Sequence, residues 1–222
     1  MLSRLTATLA EKARNRFAEG ASRQLWESVE TRLEDHGPWD PAERISLPTA
    51  QGAPLQVSRL ALGTGSDGWM GSSNQTRKLG VHGLARLLLE GLHEHNLNHW
   101  DTADQYGSHP HVAEALRQVD REQVVVLTKT VAESPAQVRR DLDRFRKELG
   151  TETIDILLLH CMTDADWPRR MKGVMEVISE AQQAGVVRLK GVSCHSFSAL
   201  KAAVSEPWVE LDLARINPGG QS

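Results

Sequence analysis

Several protein classes depend on residues that this chain has few of. There are two cysteines, Cys161 and Cys194, far apart and without a C-x-x-C pattern. That argues against a disulfide framework and against a structural zinc site, and no metal is expected. No basic stripe or polybasic run occurs, and the formal net charge of −3 comes from interspersed charges of both signs. Nucleic acid and anionic membrane surfaces are therefore not expected partners. No apolar run approaches the length of about 18 residues that a membrane span needs. The start, MLSRLTATLAEKARNRFAEG, is interrupted by charges every few residues and lacks the apolar core of a secretory signal. A cytoplasmic protein is the default expectation. Tyrosine occurs once, at Tyr106.

What the chain does have is a rhythm. Residues 1 to about 35 read as helix, with Leu5, Leu9, Phe17, Leu25, Val29 and Leu33 set among charges, as an extension that packs on the domain or binds a partner. A Gly/Pro/Asp/Ser-rich stretch follows. In it, Ile45-Ser46-Leu47 and Leu55-Gln56-Val57 alternate as a short hairpin would. We divide the chain into an extension and linker, 1–54, and a domain, 55–222. From Leu60 onward, short apolar strands alternate with amphipathic helices six times. The strands read Leu60–Leu62, Leu97–Trp100, Gln123–Thr128, Ile154–Leu159, Leu189–Val192 and Val209–Ile216. The intervening helices read about 81–95, 111–118, 135–149, 170–184 and 198–204, with Ser134 as N-cap before Pro135 and Gly150 as the stop. Near-continuous Val/Ile/Leu strands belong to a parallel sheet buried on both faces, and the alternation is that of α/β folds.

A doubly wound sheet and a (β/α) barrel both fit this rhythm. The polar residues separate them. Asp101, Lys129, His160 and Ser193 each follow a different strand, and in a barrel those ends ring one mouth, where active sites are built. No G-x-G-x-x-G follows the first strand, so the dinucleotide-binding fingerprint of the doubly wound fold is missing. The barrel is the expectation.

Asp101-Thr102-Ala103-Asp104-Gln105-Tyr106-Gly107 is the stretch on which the function turns. Taken alone, an acid and a tyrosine five residues apart make a capped turn with a locally packed ring. Convergence of the four strand ends changes that reading. A phenol with an ordinary pKa of about 10 is a weak acid at neutral pH. A nearby cation, Lys129, favours the phenolate, and Asp101 can pair with a buried lysine. His160 can donate to a carbonyl oxygen that is gaining negative charge. Together these groups can protonate a carbonyl oxygen while its carbon is attacked. Nothing in the chain resembles the attacking group, so a hydride donor has to be a cofactor.

In these motifs the chain resembles the aldo-keto reductases. Asp101–Gly107 matches the family's D-T-A-x-x-Y-G, Thr128-Lys129-Thr130 its lysine, Asp155–His160 its histidine, and Gly191-Val192-Ser193-Cys194-His195 its G-V-S-N-H. The resemblance covers about residues 55–218. It implies reduction of a small-molecule aldehyde or ketone with NADPH. Tyr106 would be the general acid, Lys129 and Asp101 its tuning pair, and His160 the carbonyl-orienting donor. Ser193 and its neighbour Cys194 would lie at the nicotinamide, with Gly63-Thr64-Gly65 bordering the cofactor. Three departures accompany it. Cys194 replaces the usual Asn, Leu213 stands where a glutamine is usual, and six strands are counted where a complete barrel has eight and about 250 residues. The expected fold is thus an incomplete (β/α)8 barrel of about six units with an N-terminal helical extension. A fragment is expected, and a partner chain completing the barrel is the alternative. A non-catalytic binding or regulatory protein, or an inactive fragment, are the competing functions.

Other residues receive plainer readings. His93 and His95 stand two apart on a helix and cannot face one ligand. Cys161 reads as a small packing residue. Trp69, Met162 and Trp167 fall in loops at the expected mouth, as pocket lining or as rim packing. Trp100 should point to the helices, and the charges of Asp164–Arg170 read as a solvated loop.

Overall fold

A computed structural model describes residues 39–214. The helix expected over 1–35 lies outside the described residues, as does the end of the last strand at Asn217-Pro218. The described part opens with an antiparallel hairpin, β1 (Arg44–Leu47) and β2 (Leu55–Ser58), with Ile45 opposite Val57. The alternation in these two segments is therefore that of the expected hairpin.

Six parallel strands follow: β3 (Ala61–Gly63), β4 (His99–Asp101), β5 (Val125–Thr130), β6 (Ile154–Met162), β7 (Val187–Cys194) and β8 (Leu211–Ala214). Between them lie α1 (Asn74–His95), α2 (His109–Leu116), α3 (Pro135–Leu149), α4 (Trp167–Arg170), α5 (Lys172–Gln183) and α6 (Phe197–Val204). Each strand pairs with its sequence neighbours, in the order β3-β4-β5-β6-β7-β8. There is no reversal of strand order and so no topological switch point, which a doubly wound sheet would need.

The two faces of the sheet bear this out. Trp100, Val126, Leu157, Leu159 and Val192 pack against all of the long helices, through Leu88, Val112, Phe145, Ile178 and Ala199 among others. The residues of opposite parity, Val125, Leu127, Ile156, Leu158 and Leu189, pack instead with Leu55 and Val57 of the hairpin. Helices on one face and a hairpin plug inside make a partial (β/α)8 barrel. Trp100 is fully buried and faces the helices, as expected.

Element boundaries differ from the expectation in two instructive ways. α1 starts seven residues before the expected 81. Ser73 caps it, its hydroxyl accepting from Thr76 N at 3.2 Å while Thr76 Oγ1 accepts from Ser73 N at 2.8 Å. This is a capping box closed by threonine rather than by Glu or Gln. Gly80, with φ 63° and ψ −177°, then breaks the helix. β5 and β6 also run past their expected ends, through Lys129 and Thr130 and through His160 to Met162. Polar side chains looked like strand ends because they face the mouth while the backbone still pairs.

Candidate active site

Parity carries Asp101, Lys129, His160 and Ser193 to the inner face at the C-terminal ends of β4, β5, β6 and β7, and the last three continue the series of plug-facing residues below them. Lys129 is 1 % exposed. Its Nζ contacts Asp101 Oδ1 and donates to Thr102 O at 3.0 Å. Burial holds the Lys129 pKa below its ordinary 10.5, and Asp101 opposes that shift. An ammonium in this position without a carboxylate would carry a desolvation penalty of several kcal/mol.

Tyr106 ends a single 3-10 turn, Asp104–Tyr106. Lys129 Nζ lies 5.0 Å from the centroid of its ring, and the His160 ring stands edge-on to it at 5.6 Å with an interplanar angle of 81°. The ring rests on bare backbone. A Cβ on Gly65 would meet Tyr106 Cε2 at 2.2 Å, and one on Gly68 would meet Cδ1 at 2.3 Å. Behind the ring, Gly107 adopts φ 62° against the carbonyl of Gly71, and Gly71 N donates to Gln105 O at 2.9 Å. Only glycine meets both demands there.

Hydroxyls and ion pairs tie this loop to the frame. Thr64 Oγ1 bonds Asp101 O at 3.0 Å and Ser108 Oγ at 2.8 Å, and Ser108 Oγ meets Thr102 Oγ1 at 2.5 Å. Arg144 of α3 forks onto both Asp104 oxygens, at 2.7 and 2.9 Å, and also reaches Asp141 and Glu148. Asp141 in turn accepts from Thr130 Oγ1 at 2.7 Å, next to Lys129. His109 bridges Thr128 Oγ1 and Glu148 Oε2, at 2.8 and 2.7 Å. That bond to His109 is the main cause holding the Glu148 pKa below its ordinary 4.5.

The remaining expected site residues divide. Gly63 pairs with Asp101 at the end of β3, Thr64 is buried in the hydroxyl chain, and Gly65 floors the tyrosine. Ser193 is buried on the inner face, in register with Leu213 of β8. Cys194 faces the other way, into the helix-side core, where burial pushes its thiol pKa up to about 12.

Two residues that were given no chemical role stand beside His160. His195 brings its ring to 5.9 Å from that of His160, and Cys161 Sγ lies 3.7 Å from His195 Nε2. The packing role expected for Cys161 is not what it has, for it is half-buried and outside the core clusters. Its turn toward the mouth comes from an irregularity in β6 that no residue pattern announces. Among the loop residues, Trp167 and Met162 do not line the mouth: both are buried in the helix-side core, with Trp167 Nε1 donating to Ala199 O at 3.2 Å. Trp69 is exposed. His93 and His95 end α1 in solvent, and Asp164, Asp166, Arg169 and Arg170 form exposed ion pairs. A large cavity lies away from this chemistry, at the hairpin end, lined by Arg44, Asn98, Arg121, Asp155 and Arg188 among others.

Known proteins agree with this architecture. The model of the Aldo/keto reductase family matches residues 59–217. Similar solved structures include the glycerol dehydrogenase of Gluconobacter oxydans, 22 % identical with a TM-score of 0.59 over 78 % of this chain and 55 % of its own. The holo form of an aldo-keto reductase from Bacillus halodurans is 24 % identical, with a TM-score of 0.61 over 78 % and 57 %. A Bombyx mori aldo-keto reductase in complex with NADP is 24 % identical, with a TM-score of 0.55 over 78 % and 60 %. The chain thus spans between 55 % and 60 % of the length of these three structures. With the partial barrel, the sequential parallel sheet and a family match running from before β3 to beyond β8, the chain belongs to the aldo/keto reductase family.

Proposed function

We propose that the chain catalyses NADPH-dependent reduction of an aldehyde or ketone to the alcohol, with Tyr106 as general acid. The observation that carries this reading is the buried Lys129 ammonium, paired with Asp101 and 5.0 Å from the tyrosine ring. A cation at that range stabilises the phenolate, so the phenol becomes a stronger acid and gives its proton to a carbonyl oxygen at neutral pH. Asp101 keeps the ammonium charged in a place that would otherwise favour the neutral amine. His160 donates to the same oxygen and orients the carbonyl above the ring.

The donor set fits a nicotinamide in part. Ser193 is buried on the inner face near the end of β7, where its hydroxyl suits a carboxamide partner. Thr64 and Gly65, which the resemblance sets beside the cofactor, also support the tyrosine loop. The bound cofactor would supply the hydride that reaches the carbonyl carbon, while the proton comes from Tyr106, so the alcohol and the oxidised nicotinamide balance the reaction.

A second reading, binding without turnover, is favoured by two positions. Cys194 turns away from the mouth, and apolar Leu213 flanks Ser193. One experiment separates the two: NADPH oxidation by the purified chain with a small aldehyde, in wild type and Tyr106→Phe. We expect the substitution to lower kcat by about 10²–10⁴-fold. Equal rates in both forms would overturn the role of Tyr106. Calorimetric NADPH binding without any turnover would favour the second reading.

A further inference from the structure

Strand β6 ends in a way that carbonyl reduction does not require. Its register with β7 holds from Ile154 to Leu159 and then shifts before Met162. At the shift, Cys161 takes φ +63°, a left-handed conformation that residues other than glycine rarely adopt. In a regular strand His160 and Cys161 would face opposite sides of the sheet. The bulge re-aims the thiol, as bulges beside active sites do. Met162 takes the helix-side position in its place.

The thiol meets a histidine that is held independently. His195 N donates to Met162 O at 2.8 Å, which seats His195 against the end of β6, and its Nε2 lies 3.7 Å from Cys161 Sγ. With His160, these residues offer one sulfur and two imidazole nitrogens, all within 4.8 Å of one another. Around a tetrahedral ion, a sulfur at about 2.3 Å and a nitrogen at about 2.05 Å stand about 3.6 Å apart. The Cys161–His195 separation already matches, and the widest pair has to close by no more than about 1.5 Å. Thiolate and imidazole are the ligands that borderline divalent ions prefer, and three protein ligands leave a fourth position open to the mouth. The nearby Lys129 charge is already paired by Asp101, so it opposes a cation weakly.

We propose that Cys161, His195 and His160 form a binding site for Zn²⁺, or a divalent cation of similar softness, and that occupancy withdraws His160 from the carbonyl. Binding stands on the ligand geometry alone; the inhibition rests on the reading in the preceding subsection.

The test uses the full chain after chelator treatment. Co²⁺ titration should develop a thiolate-to-cobalt charge-transfer band saturating at one ion per chain, and Zn²⁺ should bleach it. Cys161→Ser should abolish the band, and His195→Ala should weaken Zn²⁺ binding by about tenfold or more. A second cluster, exposed Glu90, Glu94 and His95 on α1, serves as the control, and His95→Ala should leave the band intact. Absence of the band from a chain that still melts cooperatively overturns the site, and so does loss of Zn²⁺ binding in His95→Ala but not in Cys161→Ser. Added Zn²⁺ should lower NADPH oxidation in wild type and spare it in Cys161→Ser, judged against each form's own rate. A band without that inhibition refutes the second half only. A chain that shows the band but reduces nothing refutes the reductase reading and leaves the metal site standing.

Discussion

Single residues carry the geometry of the tyrosine, and they do so by what they lack. Gly65 and Gly68 let the ring of Tyr106 lie on the loop after β3, with room for no Cβ on either. Gly65→Ala should therefore displace the ring and cost about 1–3 kcal/mol, as overpacking does. Gly63→Ala, where an added Cβ meets nothing within 4 Å, should stay within about 0.5 kcal/mol of wild type. Urea denaturation measures both, and equal losses would refute the packing argument. A second residue-scale effect concerns pH. Burial, as the largest cause, holds His99 below its ordinary pKa of 6.5, with Asp101 opposing. Below pH 6.5 the unfolded chain takes up a proton that the native chain refuses, so stability falls as pH drops toward the depressed value. His111 shifts in the same direction for the same main reason. The urea midpoint should decline from pH 6.5 downward, and His99→Leu should flatten that slope. These glycines and histidines were visible in the sequence. Their roles were not, because a glycine's use depends on what arrives opposite it, and a histidine's pKa on the burial it finds.

At the scale of elements, α3 does more than cover the sheet. Its apolar stripe, Val138, Leu142, Phe145 and Leu149, follows the helical period and is buried as that period dictates. On its flank, Arg144 reaches forty positions back in the chain to Asp104, two residues before the tyrosine. Arg144→Met should therefore loosen the Tyr106 loop. Because the guanidinium is 40 % exposed, its ion pairs are partly screened, and a stability loss of about 1 kcal/mol that shrinks in salt is expected. If the loop is what Arg144 holds, kcat should fall while the far-UV spectrum stays unchanged. A change in stability alone would make Arg144 only a structural brace. Element types were legible for the six parallel strands and the longer helices, since periods of 2 and 3.6 need no partner to be seen, whereas the short α4, Trp167–Arg170, reads as loop. Element ends were less so. Lys129 and His160 look like stops until the mouth that they face is in view, and the β6 bulge leaves no trace in His160-Cys161-Met162 as a string.

Over the whole molecule, the order of assembly explains why one end is chemical and the other structural. The hairpin closes the inner face from below: Leu55 and Val57 sit with Val125, Leu127, Ile156, Leu158 and Leu189. Above that apolar layer, the same strand faces turn polar. Leu55→Ala should open a cavity in this plug and cost about 2–4 kcal/mol. Because the plug touches strands from β5 to β7, the loss should appear as a lower midpoint of one cooperative transition, followed by thermal melting. A separate early transition would show that the hairpin is an appendage.

The sequence by itself determined the alternation of strands and helices, the parity of each strand and the identity of the four polar residues at strand ends, because each of these rests on local period and residue chemistry. From those, the family and the candidate acid Tyr106 could be read. Only the tertiary structure decided that the six parallel strands lie in sequence order, that the described helices cover one face, and that Asp101 and Lys129 pair beside the tyrosine ring. Only the tertiary structure turned Cys161 toward His195 and Cys194 away from the mouth. The reason is physical: side-chain direction at a strand end depends on the backbone register of the neighbouring strand, and register is a property of two segments that no single stretch contains.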